Sequence, residues 1–476
     1  MRAAWRVAAV RAAEEALMAT LPDGALMQRA AAGLARRCAE LLPGVYGSSV
    51  LLLVGSGNNG GDALYAGARL AHRGARVYAL LTAPDRAHPG GLRALRDAGG
   101  STVDELPSTV DLIVDGLLGI GGRGGLRGTA ASTVERLPAG VPVVAVDLPS
   151  GVDADTGAVP GAAVRADVTV AFGALKPGLV VGTGAVHSGL VEVVDIGLSP
   201  WLRGEPALRV PDLADIAADW PQPSAGDDKY TRGVVGLATG SAQYTGAALM
   251  SVSGALAGPA GMVRYAGAAA GAVREAHPST IVSDRVADAG RVQAWTCGSG
   301  LGTDGRAAAG LRAVLASDVP VCVDADGLTL LADGLTGLLR DRAAPTVLTP
   351  HDREFARLAG EQPGPDRVGA ALGLATRLGA VVLLKGDRTV VASPSGQAYV
   401  NPTGTPALAT AGTGDVLAGL LGSLLAAGVP ADLAALAAAY AHGLAGRYAA
   451  GRGPVTAVDV ADALPPALAR AGLWHP

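Results

Sequence analysis

Between Val54 and Gly67 the chain reads VGSGNNGGDALYAG, a knot of glycines, two asparagines and an aspartate set directly behind the apolar run SSVLLLV. Glycines leave backbone N–H groups bare, and such groups between a strand and a helix can hold an anion. Two further clusters carry carboxylates, VDGLLGIGGRGGLRG around Asp115 and AVDLPSGVDADTG around Asp147. If their loops converge, Asn59, Asp115 and Ser150 with nearby carbonyls suit a hard, weakly held cation, and the backbone donors of 119–125 suit a phosphate. Asp147 is then the candidate acid or base. Far downstream, NPTGTPALATAGTGDVLAGLLGSLLAAG places Gly412, Gly414 and Asp415 ahead of an apolar helix. Glycine N–H groups there can cradle a phosphate, and the aspartate can accept a proton from an attacking hydroxyl, the arrangement phosphoryl transfer needs. Upstream of it, LLKGDRTVV puts Lys385 to Thr389 where a nucleotide could lie, and VLTPHDREFARL puts His351 at the end of a strand.

Each feature has a plainer use. An aspartate at a strand end often forms only a cap or an Asx turn. KGD can be a tight turn, His351 a cap, and Lys176 in LKPG a structural lysine. GSGNNG fits the glycine pattern of a dinucleotide fingerprint but lacks the usual acidic residue about twenty positions on, which disfavours a plain dehydrogenase.

These residues need elements to position them. Val50 to Val54 read as a strand buried on both faces, and the helical spacing in DALYAGARLAHRG ends at Gly74, a helix stop. From Val50 to about Leu198, apolar strands (VLLLV, ARVYALL, DLIVDGLL, VPVVAVDL, ADVTVAF, GLVEVVDIGL) alternate with helical or loop segments, implying a doubly wound, Rossmann-like parallel sheet. A proline-rich stretch without a strong strand follows, so the boundary is placed near Glu205, giving domains 1–205 and 206–476. The second α/β series starts at GVVGLATG and carries its own glycine-rich sites.

With 476 residues, 49% hydrophobic and 17% charged, the chain is globular and longer than one ordinary domain. A net charge of −4 supplies no basic field for nucleic acid or a membrane surface. Three scattered cysteines, Cys38, Cys297 and Cys322, fit neither a disulfide framework nor a zinc site, and suit a reducing cytoplasm. Glu14 and Glu15 interrupt the N-terminal segment, which reads as an amphipathic helix and not as a signal peptide. Pro430 and Asp432 cut the most apolar segment into two core helices, expected to be too short to span a bilayer.

GSGNNGGDALYAGARL, VDGLLGIGGRG, VAVDLPSGVDADTG and ADVTVAFGALKPGL together resemble the YjeF N-terminal family, the NAD(P)H-hydrate epimerases. The resemblance implies that Asn58, Asn59, Gly60, Gly61 and Asp62, with Gly119, Ile120, Gly121, Gly122, Arg123, Gly124 and Gly125, hold the hydrated dinucleotide. It also implies that Asn59, Asp115 and Ser150 bind potassium and that Asp147 contacts the substrate near the reacting ring. Ala63 stands where that family usually has glycine.

The segments DKYTRGVVGLATGSAQYTGAAL, CGSGLG, DADGLTLL, TPHDREFARL and NPTGTPALATAGTGDVLAG resemble the ribokinase-like ADP-dependent NAD(P)H-hydrate dehydratases. This implies that Ala247, Gly300 and His351 line the hydrated-nicotinamide site. Lys385, Gly386, Asp387, Arg388, Thr389 and Gly414 would hold ADP with a magnesium ion, and Asp415 would face the hydroxyl. Thr245, Asp352 and Arg353 depart from the family's usual proline, proline and glycine. The expected enzyme is bifunctional and cytoplasmic, a homo-oligomer acting on hydrated NADH and NADPH with ADP, without nucleic-acid or membrane partners. Two other readings use the same residues. A ribokinase-like small-molecule kinase would phosphorylate a stable alcohol, and a first half without catalysis would be a nucleotide-binding module.

Overall fold

The computed structural model of the chain describes residues 1–122, 124–340 and 342–474. It divides into two compact units, one of Ala3–Leu208 and one from Arg209 onward together with Met1–Arg2. The division falls within a short strand, Leu208–Val210, inside the stretch expected to lack one. Three residues are too few for alternation to show in sequence.

In the first unit, strands β1 (Ser49–Val54), β2 (Arg76–Leu81), β3 (Ser101–Val103), β4 (Leu112–Gly116), β5 (Val143–Val146), β6 (Val168–Phe172) and β7 (Leu190–Val194) form a sheet in the order β3-β2-β1-β4-β5-β6-β7. Every pairing is parallel. Side chains of β1 alternate between two apolar clusters, Val50, Leu52 and Val54 in one and Leu51 and Leu53 in the other. The continuous apolar run thus reflects a strand covered on both faces. Helices α1 (Val7–Met18) and α2 (Ala25–Leu41) supply Val10, Leu17 and Leu34 to the first cluster.

Helix α3 spans Asn58–His72 and starts a full turn before the apolar periodicity begins at Asp62. Gly60 and Gly61 are therefore helical, and their lack of a side chain serves contact: a Cβ at Gly60 would lie 2.5 Å from the Gly55 carbonyl oxygen. Ala63, buried against Gly116, also sits inside this helix and not in a turn, so glycine's backbone freedom is not needed there. At the far end Gly74 has φ +90°, and the amide of Ala75 donates to Leu70, closing the helix as expected.

In the second unit, strands β8 (Val234–Ala238), β9 (Met262–Ala266), β10 (Ile281–Ser283), β11 (Ala294–Cys297), β12 (Val321–Val323), β13 (Thr346–Leu348), β14 (Val381–Leu384), β15 (Val390–Ala392) and β16 (Ala398–Val400) run in the order β16-β15-β14-β13-β12-β11-β8-β9-β10. Only the meander β14-β15-β16 is antiparallel. Helices α4 (Thr245–Leu256), α5 (Asp352–Ala359), α6 (Thr413–Ala426) and α7 (Ala431–Ala450) matter most for the site. A Cβ at Gly254 would lie 2.1 Å from the Val416 carbonyl oxygen, and one at Gly419 would lie 1.9 Å from that of Ser251. Glycine at both positions lets α4 and α6 touch backbone to backbone. Helix α7 has 20 residues, enough length to span a bilayer, contrary to expectation. Among the described residues, however, no helix is long and apolar enough to cross a membrane.

Candidate active sites

Adjacent strands β1 and β4 flank the point where the first sheet's order reverses, and the loops after them open a cleft there, as open parallel sheets tend to do. Its volume is about 1050 Å³. Asn58, Asn59 and Asp62 line it from α3, Gly119 to Gly122 from the loop after β4, and Asp147 from the end of β5. Gly57 caps α3 without any side-chain hydrogen bond, so the first amides of the helix stay free for an anion. Gly60 and Gly61 do not line the cleft; Gly60 packs on Gly55, and Gly61 on the cleft residues His88 and Met27. Gly124 and Gly125 also lie away from it, Gly125 being pressed on Gly161. Arg123 lies outside the described residues.

Asp147 has φ +63°, and the amide of Leu148 donates to the Val146 carbonyl 2.7 Å away, a tight γ-turn that few non-glycine residues adopt. The turn swings the carboxylate over the end of β6, where Oδ1 accepts from the Phe172 amide at 3.0 Å and from Lys176 Nζ. Lys176 is 1% exposed. Its other bond is to the Phe172 carbonyl at 3.2 Å, so this lysine is the counter-ion of Asp147. Proximity of the two could not be read from LKPG alone.

Asp115, Ser150 and Asn59 meet around Leu118. Ser150 donates from Oγ to Asp115 Oδ1 at 2.6 Å and from its amide to Oδ2 at 2.8 Å. Asn59 Nδ2 donates to the Leu118 carbonyl at 3.0 Å, which lies 3.2 Å from Ser150 Oγ. Burial lifts the Asp115 carboxyl to about 6 even against the pull of the Ser150 donors. A carboxylate, a hydroxyl, an amide and a carbonyl fit an all-oxygen alkali-cation site. Among the described residues no group of three His, Cys, Asp or Glu could hold a transition metal.

In the second unit a hollow of about 480 Å³ is lined by Ala247, Gly300 and Asp415, with Gln243, Tyr244 and Asp326. The three expected residues come from α4, the loop after β11 and the first turn of α6. His351 does not line this hollow. It is the N-cap of α5, accepting from the amides of Arg353 and Glu354 at 3.1 and 3.3 Å, and the Glu354 side chain closes a capping box. Asp352 and Thr245 are first residues of helices, where proline is favoured but any helix former serves, so these departures leave the loops intact.

Gly412, at φ +88°, caps α6 and turns Asp415 toward the hollow. Burial first, then Asp324, lifts the Asp415 carboxyl to about 7, partly offset by Lys385. Lys385 does not point along the KGDRT turn. Its Nζ lies 2.8 Å from Asp324 Oδ1 and 3.7 Å from Glu354 Oε2, and a Cβ on Gly414 would lie 3.5 Å from it. Asp324 is 1% exposed and also accepts from Thr349 Oγ1 at 2.7 Å and Ser299 Oγ at 2.9 Å. Arg388 Nη1 is taken by the Pro402 carbonyl at 2.6 Å, and Thr389 Oγ1 by that of Gly386 at 3.0 Å. Asp324, Glu354 and Thr349 were not singled out in the sequence. The DAD of DADGLTLL and its placement after a strand were the available signals.

The family model described as YjeF-related protein N-terminus matches residues 23–178, and that described as NAD(P)H-hydrate dehydratase matches residues 235–466. The bifunctional NAD(P)H-hydrate repair enzyme Nnr of Mycobacterium tuberculosis is 50% identical over 413 residues, covering 85% of each chain. The chain belongs to the bifunctional NAD(P)H-hydrate repair enzyme family. The family's member from Salinibacter ruber is 38% identical over 438 residues, 82% of this chain and 81% of that one. Among solved structures, the ADP/ATP-dependent NAD(P)H-hydrate dehydratase of Bacillus subtilis, co-crystallised with ATP and Mg²⁺, is 28% identical with a TM-score of 0.50. It covers 55% of this chain and 97% of its own. A ribokinase-like superfamily protein of Enterococcus faecalis is 26% identical with a TM-score of 0.51, covering 56% and 96%. The second unit of this family member is therefore ribokinase-like. Its epimerase-type match includes the Asp147–Lys176 pair and stops short of α1.

Proposed function

We propose that this chain repairs hydrated nicotinamide dinucleotides, interconverting the R and S hydrates of NADH and NADPH in the first unit and dehydrating the S form with ADP in the second. Its relatives' bifunctional name supports the pairing. The observation that carries it is the coexistence of two equipped sites, the Asp147–Lys176 cleft and the Asp415 hollow, on units that match an epimerase-type and a dehydratase family.

Hydration leaves a hydroxyl on a ring carbon beside the ring nitrogen, and hydroxide is a poor leaving group. Asp415 takes the hydroxyl proton as the terminal phosphoryl group of ADP is transferred to the oxygen. The phosphate then departs with the C–O electron pair, the nitrogen lone pair assists, and the neighbouring carbon loses a proton to restore the double bond. Reduced cofactor, AMP and phosphate are the products. The free amides at the start of α6 and the Lys385 ammonium beside Gly414 give phosphate oxygens a positive environment. Magnesium would accompany the nucleotide phosphates, in keeping with the ligands of the Bacillus subtilis structure.

In the first unit, Asn59, Asp115 and Ser150 would hold potassium, which would supply positive charge to the phosphate-binding loop. The dinucleotide would lie along the α3 N-terminus and Gly119 to Gly122, its ring near Asp147. The test is recovery of reduced-nicotinamide absorbance from a mixed-epimer hydrate with ADP, with ATP or with no nucleotide. Recovery of nearly the whole pool with ADP supports both activities. A stall at one epimer removes the epimerase, and no recovery with either nucleotide favours a ribokinase-like small-molecule kinase.

A further inference from the structure

The first unit's cleft holds two carboxyls that the reading above leaves without a chemical task. Asp62 is 8% exposed, and its Oδ1 is buried without a hydrogen-bond partner. Glu14, half-buried on α1, lines the same cleft. Facing them are Arg11 and Glu15 from α1, Asp23 and His88 from loops along the rim, and the Asp147–Lys176 pair. A carboxylate oxygen buried without a donor is costly, whereas the protonated acid is not. Burial first, then Asp147 and Glu14, hold the Asp62 carboxyl well above the usual carboxylate range. Burial and Asp147 also raise Glu14, while Lys176 and Arg11 pull it back.

We propose that Asp62, whose buried Oδ1 has no donor, is the proton donor of epimerisation and that Glu14, lining the same cleft, returns the proton to it. This assignment rests on the epimerase reading of the cleft. The Asp62 proton passes to the substrate's ring hydroxyl, and the C–O bond breaks with its electron pair leaving in water. The ring nitrogen's lone pair forms the C=N bond of a ring cation. Water adds to the opposite face, the nitrogen recovers its pair, and the proton released from the added water returns through Glu14 to Asp62. As Asp62 loses its proton the cleft gains a negative charge in the step that makes the ring positive, so the environment favours the cation when it forms. Asp147, anchored by Lys176, stays as a fixed carboxylate beside the ring. Glu14 lies upstream of the family match at 23–178, so a reading confined to that match would pass over it.

The experiment follows the equilibration of separated R and S hydrates by chromatography, without nucleotide, for the native chain and for Asp62→Asn and Glu14→Gln. If the native chain does not equilibrate them, the epimerase reading itself fails, independently of this assignment. With an active native chain, Asp62→Asn should lower kcat by about a hundredfold or more, with KM changed less than kcat and the melting temperature not lowered. Glu14→Gln removes a negative neighbour, so the upper limb of the pH–rate profile should move to lower pH. Should Asp62→Asn not fold, that limb in Glu14→Gln remains the deciding readout. An Asp62→Asn chain with near-native kcat, or an unmoved upper limb in Glu14→Gln, overturns the proposal.

Discussion

Lys385 Nζ donates to Asp324 Oδ1 across 2.8 Å, directly behind the glycine turn that presents Asp415. Burial disfavours the ammonium, but Asp324, Glu354 and Asp415 together hold it above the ordinary lysine range. The lysine of KGDRT is therefore tied to the floor of the site. Replacing it with methionine leaves a buried aspartate without its cation, a change that costs about 3–5 kcal/mol. Lys385→Met should lower the denaturation midpoint and remove dehydration together, read by chemical unfolding and by absorbance recovery.

Asp415 must be deprotonated to take a proton, and its carboxyl is held up at about 7. Dehydration should accordingly rise with pH through about 7 and, well below it, fall about tenfold for each unit of pH. Asp415→Asn should lose this limb along with nearly all of the rate. Dehydration by Asp415→Asn at the native rate would refute its role as the base.

Asp147→Asn isolates the ion pair, because asparagine tolerates the left-handed backbone as aspartate does. The variant leaves Lys176, 1% exposed, without its carboxylate. A loss of about 3–5 kcal/mol is expected, with epimerisation abolished. Asp147→Val should be less stable still, by about 1–3 kcal/mol of added backbone strain at φ +63°. Urea unfolding of the two variants side by side checks the order.

Potassium should raise the thermal stability of the chain and its epimerisation rate above those in choline or sodium buffer. Ser150→Ala should erase that difference, since it removes the hydroxyl shared by Asp115 and Leu118. Melting curves across the three salts give the answer without substrate.

Gly419→Ala would place a methyl 1.9 Å from the Ser251 carbonyl oxygen, a backbone atom that cannot yield without moving α4. A destabilisation of about 1–3 kcal/mol is expected. Since α6 also carries Asp415, dehydration should fall with it.

The strand runs were legible because burial on both faces demands unbroken apolar residues, as in Val50 to Val54. Helix ends were less so. The α3 start at Asn58 was hidden because Gly60 and Gly61 read as a loop, when each lacks a side chain to admit a neighbour. His351, a residue type able to do chemistry at a promising strand end, has a structural task the sequence did not single out, its Nδ1 capping α5.

By itself the sequence determined the two α/β halves, the glycine turn at Gly412, and the presence of Asp115 and Asp147 at strand ends and of Asp415 at a helix start, since these follow from local periodicity and residue type. Only the tertiary structure decided that Lys176 pairs with Asp147, that Lys385 faces Asp324, and that Asp62 is buried with an unpartnered oxygen in a cleft that Glu14 also lines. Those relations join residues tens of positions apart in the chain. Burial and charge pairing are set by where the strands end in space, which no local spacing encodes.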